Sequence, residues 1–176
     1  MSSATPVVLG PDAGDFIWFG AGLLTFKVTS EQSGGVFLLT DDTMGQGKTT
    51  PLHVHPVHDE TIYVIDGEVI VHLDGVEHTA GPGSIAAIPR GTPHAFLVTS
   101  ASAHILAFIT PGDRNAEAFF REGGEAAATR SAPPAGTPLN IPRLVDAGKR
   151  TGFMDVIGPP PFKREADAHR QGAALA

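Results

Sequence analysis

GKTTPLHVHPVHDETIYVIDG, residues 47–67, packs three histidines and two acids into the eight positions 53–60. Along a β-strand, residues i and i+2 share a face. His53 and His55 therefore project together, with Val54 turned away. Two imidazoles side by side are a natural start for a metal site built from nitrogen and oxygen donors. Pro56 ends that strand, because proline cannot donate to a ladder. Glu60 opens the next apolar run, ETIYVIDG, and a hairpin return would set it opposite the histidines. An isolated H-x-H pair is better explained as surface histidines in a polar loop. A second stretch, GSIAAIPRGTPHAF (83–96), weakens that explanation, because it carries His94 onto a later strand after two prolines and a glycine.

Outward from this core the same strand grammar repeats. FIWFG (16–20), GLLTFKVTS (22–30) and GGVFLLTDD (34–42) precede it, and Leu24, Phe26 and Val28 keep a period of two. EVIVHLDG (68–75), VEHTAGPG (76–83), SIAAIPRG (84–91), HAFLVTS (94–100) and AHILAFITPG (103–112) follow. Asp66-Gly67 and Asp74-Gly75 are hairpin turn signals. Short strands with a turn every 8–12 residues or so read as a sandwich or barrel. After Gly112 the period changes. DRNAEAFFREGG sets Ala116, Phe119 and Phe120 at helical spacing, and PRLVDAGKRTG (142–152) has the proline start of a second short helix. GPPPF (158–162) fits neither a helix nor a central strand. The all-β expectation thus divides into N-terminal strands (1–35), a barrel (36–112) and a C-terminal helix and loop extension (113–176).

Composition narrows the function classes. The 176 residues include no cysteine, so thiolate ligands and disulfides are excluded. A formal net charge of −7 argues against a nucleic-acid partner, which wants a basic face. No run approaches the roughly 18 apolar residues of a membrane span, and the start MSSATPVVLGPDAGD lacks the pattern of a signal peptide, so the cytoplasm is the expected location. GQGKTT (45–50) imitates a phosphate-binding loop, but Asp42 stands where that loop needs glycine and Pro51 follows where a helix should begin. H-E-x-x-H is absent.

Gly47, His53, His55, Glu60 and Gly67 meet every spacing of the first cupin motif, and Gly83, Pro89, Gly91 and His94 those of the second. The chain resembles the cupins through both motifs. Val98 stands at the closing position, where the family pattern has an asparagine that is not a ligand. The resemblance implies a double-stranded β-helix (jelly-roll) barrel holding one divalent transition metal through His53, His55, Glu60 and His94. Nickel, cobalt, manganese and iron all accept such a set. Four protein ligands on an octahedral ion leave two positions open, which favours binding or catalysis over a closed structural site.

If Glu60 and His94 point inward, the period of two turns Ile62, Val64 and Phe96 inward as well. With Phe108 they are the expected substrate-binding wall, in an interior with few polar groups beyond the ligands. Such a lining suits a flat aromatic ligand better than a sugar or a polyacid. Among the other histidines, His58 reads as a loop residue, His72 as outward-facing, His78 and His169 as surface residues, and His104 as a satisfied buried histidine.

Beyond the motifs, the aromatic N-terminal run, the 51–69 core, the helix after the barrel and the terminal GPPP are similar to the single-cupin quercetin 2,3-dioxygenases of bacteria. That resemblance implies a flavonol and O2 as partners. Its 3-hydroxyl, acidified by the metal, would lose its proton to Glu60 as catalytic base, and the ring would open to a depside with loss of carbon monoxide. Two other classes stay open: a cupin enzyme acting on another phenolic or a dicarbonyl, and a non-catalytic binding barrel. The unbroken apolar run FIWF also predicts a homodimer, with residues 16–42 meeting a partner's sheet.

Overall fold

The computed structural model describes residues 4–134 and 137–162. The strands are β1 (Phe16–Trp18), β2 (Gly22–Val28), β3 (Leu38–Gly45), β4 (Leu52–Val54), β5 (Asp59–Asp66), β6 (Val69–Leu73), β7 (Val76–Ala80), β8 (Ile85–Ile88), β9 (His94–Val98) and β10 (Ser102–Thr110). Helix α1 (Arg114–Gly123), β11 (Glu125–Ala126), α2 (Ile141–Thr151) and β12 (Asp155–Gly158) complete the chain. Two antiparallel sheets face each other. The larger has the order β11-β1-β2-β3-β10-β5-β8 and the smaller β12-β4-β9-β6-β7. Neighbours far apart in sequence, such as β3 with β10 and β4 with β9, are the jelly-roll signature. The fold is all-β with a short helical extension, as the strand spacing predicts.

Alternation sets the interior. On β3, Leu38, Thr40, Asp42 and Met44 are buried, and on β10 Ala103, Ile105, Ala107 and Ile109. On β5, Ile62 and Val64 are buried while Tyr63 and Ile65 are exposed. The hairpin signals hold: Asp74 and Gly75 both take positive φ (45° and 88°), the backbone of a two-residue reversal. Gly67, also at positive φ (78°), has no room for a side chain, because a Cβ there would run into the backbone of Ser102 and Ala103.

The inward residues form two apolar clusters. One joins Met44, Ile62, Val64, Val69, Val71, Val98 and Ile105 between the sheets. The other joins Leu24, Phe26, Leu38 and Ile109 of the larger sheet to Phe19, Phe119, Phe120, Leu144 and Phe153. Each such side chain stabilises the fold by about 1.5–3 kcal/mol on full burial. Helix α1 starts where Asp113 accepts hydrogen bonds from the amides of Asn115 and Ala116, and it buries Ala116, Phe119, Phe120 and Gly123 on one stripe. Helix α2 has Asn140 as N-cap, an early Pro142 and a left-handed Gly152 as its stop (φ 66°). Among the described residues no helix is long and apolar enough to cross a membrane.

Several boundaries differ from the sequence reading. β3 begins at Leu38 rather than 34, because Gly34 and Gly35 turn the chain with positive φ before the ladder to β10 can start. β11 and β12, two and four residues long, carry no periodicity of their own and exist only as partners of β1 and β4. The FIWF run is covered within the chain: β11 pairs along β1, while Ile17 and Phe19 enter the aromatic cluster.

Candidate metal centre

His53 lies on β4 directly opposite His94 on β9, and Glu60 lies near the start of β5. His55 follows directly after β4, which ends at Val54. Antiparallel pairing and the turn through 55–58 bring the four together. One donor atom from each of His53, His55, Glu60 and His94 lies within 4.8 Å of the others. The three imidazoles are buried and the Glu60 side chain is 13% exposed.

Each imidazole is held from behind. Nδ1 of His53 bonds the Pro51 carbonyl at 2.8 Å, Nδ1 of His55 the Phe153 carbonyl at 2.9 Å, and Nδ1 of His94 the Thr92 carbonyl at 2.9 Å. A carbonyl oxygen only accepts, so Nδ1 carries the hydrogen in all three, and in the neutral ring Nε2 is left with a lone pair. Nε2 of His94 stands 3.1 Å and Nε2 of His55 3.4 Å from the same Glu60 oxygen, Oε2. Lone pairs facing a carboxylate oxygen at that range repel unless a cation lies between them. A proton can serve, and a divalent metal serves all four groups. This donor set, with its carbonyl-fixed ring orientation, fits a nitrogen- and oxygen-ligated metal.

The acidities carry the same imprint. Burial, with the neighbouring charges of His94 and His55, lowers His53 to about 3. Burial alone would raise Glu60, but hydrogen bonds and charge from His55 and His94 outweigh it and hold the carboxylate well below its usual range. Burial would lower His94, yet its bond to Glu60 carries it upward.

The ligands open on a cavity of about 60 Å3. Phe96, Phe119, Phe120 and Phe153 wall it, with Leu139 and Leu144 from the C-terminal segment. Of the expected substrate wall, only Phe96 lies on this cavity. Ile62 and Val64 face inward but pack in the apolar cluster between the sheets. Phe108 turns out of the barrel, at 36% exposure, and meets Phe37 on the outer face. The reason is parity: Ala107 and Ile109 take the inward positions of β10.

The interior is also more polar than the sequence suggests. Thr40, Asp42, Lys48 and Thr50 line the cavity. Asp42 and Lys48, the residues of the false phosphate loop, form a buried ion pair there. Alternation with Thr40 and Met44 already marks Asp42 as inward; the sequence has no such mark for Lys48.

The remaining histidines divide. His58 lies in the loop between β4 and β5, as expected, but it is buried, packed on Phe153 with Nε2 3.2 Å from the Asp113 carboxylate. His104 is not buried: it is 35% exposed on the outer face and paired with Asp41 at 2.9 Å. His72 is partly covered and meets Phe162, while His78 is exposed. His169 lies outside the described residues.

Residues 42–109, which contain all four ligands, match the family model of the cupin domain. The chain resembles one curated relative in particular. Quercetin 2,3-dioxygenase of Bacillus subtilis (strain 168) is 31% identical over 108 residues, 61% of this chain and 32% of that protein. The chain thus aligns with about a third of that relative's length. Among solved structures, KdgF from Halomonas sp. is similar with a TM-score of 0.58 and 17% identity, covering 64% of this chain and 99% of that one. Oxalate decarboxylase from Bacillus subtilis is similar with a TM-score of 0.54 and 18% identity, covering 64% of this chain and 31% of that one. At such identities the likeness is one of fold.

Proposed function

We propose that the chain is a metal-dependent dioxygenase that opens the central ring of a flavonol such as quercetin with O2, releasing carbon monoxide and a depside. The observation that carries this reading is the convergence of three imidazole lone pairs and one carboxylate on a cavity walled by aromatic rings. The likeness to a quercetin 2,3-dioxygenase supports it. A divalent metal held by His53, His55, Glu60 and His94 would supply the Lewis acidity that lowers the substrate hydroxyl's pKa. The carbonyls behind the histidines keep the rings from turning. Glu60 stays ionised at neutral pH and is the acceptor for the substrate's proton. Phe96, Phe119 and Phe153 offer flat apolar surfaces and exclude water. The cavity, about 60 Å3, is below the roughly 300 Å3 at which drug-sized sites begin. Admission of a flavonol therefore requires the cavity walls to widen around it.

The same narrowness favours a second reading, in which the substrate is a smaller phenolic or dicarbonyl. The two separate by gas analysis. Quercetin supplied to protein loaded with nickel, cobalt, manganese or iron should consume O2 and release carbon monoxide. Glu60→Gln should lower both by about 100-fold or more at constant bound metal. Carbon monoxide from none of the four forms rejects the flavonol reading, and near-normal rates in Glu60→Gln reject Glu60 as the base.

A further inference from the structure

We infer that Asp42 and Lys48 form a second polar recognition point in the cavity, which takes a hydroxyl of the substrate other than the one that meets Glu60. The inference rests on the flavonol reading and makes the pair the determinant of preference for hydroxylated ring systems.

Both side chains are buried, Asp42 on β3 and Lys48 in the loop before β4, and both line the same cavity as His53, Glu60 and Phe96. Nζ of Lys48 donates to Oδ2 of Asp42, its one hydrogen-bond partner among the described residues. An ammonium has three hydrogens, so donor capacity remains. Oδ1 of Asp42 is buried with no hydrogen-bond partner among the described residues. An open acceptor and an open donor therefore stand side by side.

The charge balance selects the ligand chemistry. The pair is neutral as a unit, so an added carboxylate or phosphate would bring an uncompensated charge into an apolar cavity, and so would an ammonium. A hydroxyl can donate to Oδ1, accept from Nζ and add no charge. Burial of an ion pair contributes little stability by itself, and apolar residues of similar volume often replace one without loss. Its place in the cavity wall thus has an account in recognition rather than in folding. Gly22 on β2 admits the pair: a Cβ there would collide with both Nζ of Lys48 and Oδ1 of Asp42.

The test compares quercetin with 3-hydroxyflavone, which keeps the 3-hydroxyl and lacks the others. Each is titrated anaerobically into metal-loaded protein and followed by its own absorbance, so that no turnover enters. Wild type should bind quercetin about 100-fold more tightly, within the range by which buried polar groups left unpaired reject an analogue lacking the hydroxyl. Asp42→Leu combined with Lys48→Met should bring the ratio to within about threefold, with 3-hydroxyflavone binding retained. A pair with only a structural role would weaken both ligands alike, and an unchanged ratio in that variant overturns the inference. Should the double variant not fold, the wild-type ratio decides: a value near one overturns the inference while leaving the flavonol reading standing. Binding of neither compound overturns both.

Discussion

The two ends of the barrel are made by the same strands and enclose opposite environments. β5 gives Glu60 to one end and Ile62 and Val64 to the other; β9 gives His94 and then Val98. Between the sheets the inward side chains of both mesh into an apolar cluster. At the ligand end the rings of Phe119, Phe120 and Phe153, brought by α1 and the segment after α2, close the space instead. One step of two residues along one face thus separates chemistry from packing. The period of two says that a residue points inward, but not which end it faces.

The comparison breaks most completely at the ligand end. His53→Ala with His55→Ala removes two of four donors and should leave a barrel without bound metal by elemental analysis. The fold should persist by circular dichroism, because neither apolar cluster contains these residues. Full metal occupancy in this variant would remove the site assignment.

The ligands were legible because the two motifs fix their spacing, and strand pairing then had only one way to bring His94 opposite His53. Lys48 was not legible. Its neighbours Gly47, Thr49 and Thr50 read as a loop, and only the folded loop before β4 turns its side chain onto Asp42. That His58 is buried was missed for a related reason, since its cover comes from Phe153 and Asp113, far along the chain. Phe108, by contrast, could have been placed by parity with Ile105 and Ile109.

Acid should weaken the ligand end next. In the metal-free protein folded His53 stays neutral down to about pH 3, whereas in the unfolded chain it takes up a proton below its ordinary value of 6.5. Unfolding then binds protons, so stability falls as pH drops from 6.5 towards 3. A depression of that size corresponds to on the order of 5 kcal/mol. Glu60 acts in the same direction, since its lowered pKa contributes stability above the unfolded value of 4.5 that is lost as pH falls. His94 opposes them: raised in the fold, it contributes fully below pH 6.5 and loses that contribution as pH rises through its folded value. Two groups against one give a net loss in acid. Urea unfolding of metal-free protein at pH 7 and pH 4 measures it, and His53→Ala should flatten the difference. Equal stability at the two pH values would contradict the assigned electrostatics.

The smallest effect sharpens the comparison at the apolar end. Val64 is 1% exposed and packs in the cluster between the sheets, away from the cavity lining. Val64→Ala deletes two buried methyl groups and should cost about 2 kcal/mol through lost transfer energy and the void left behind. For a chain of this size that lowers Tm by about 6 °C. The same substitution tests whether Val64 shapes the substrate site, as its inward parity alone suggests. A residue that only packs should leave KM and kcat, normalised to folded and metal-loaded protein, within about twofold of wild type. A residue that touches the substrate should move KM severalfold with little change in Tm, because the bound ligand and not the empty barrel loses its contacts. Stability lost with kinetics kept assigns Val64 to the scaffold. The reverse would mean that the cavity extends past Phe96 into the apolar end when substrate enters.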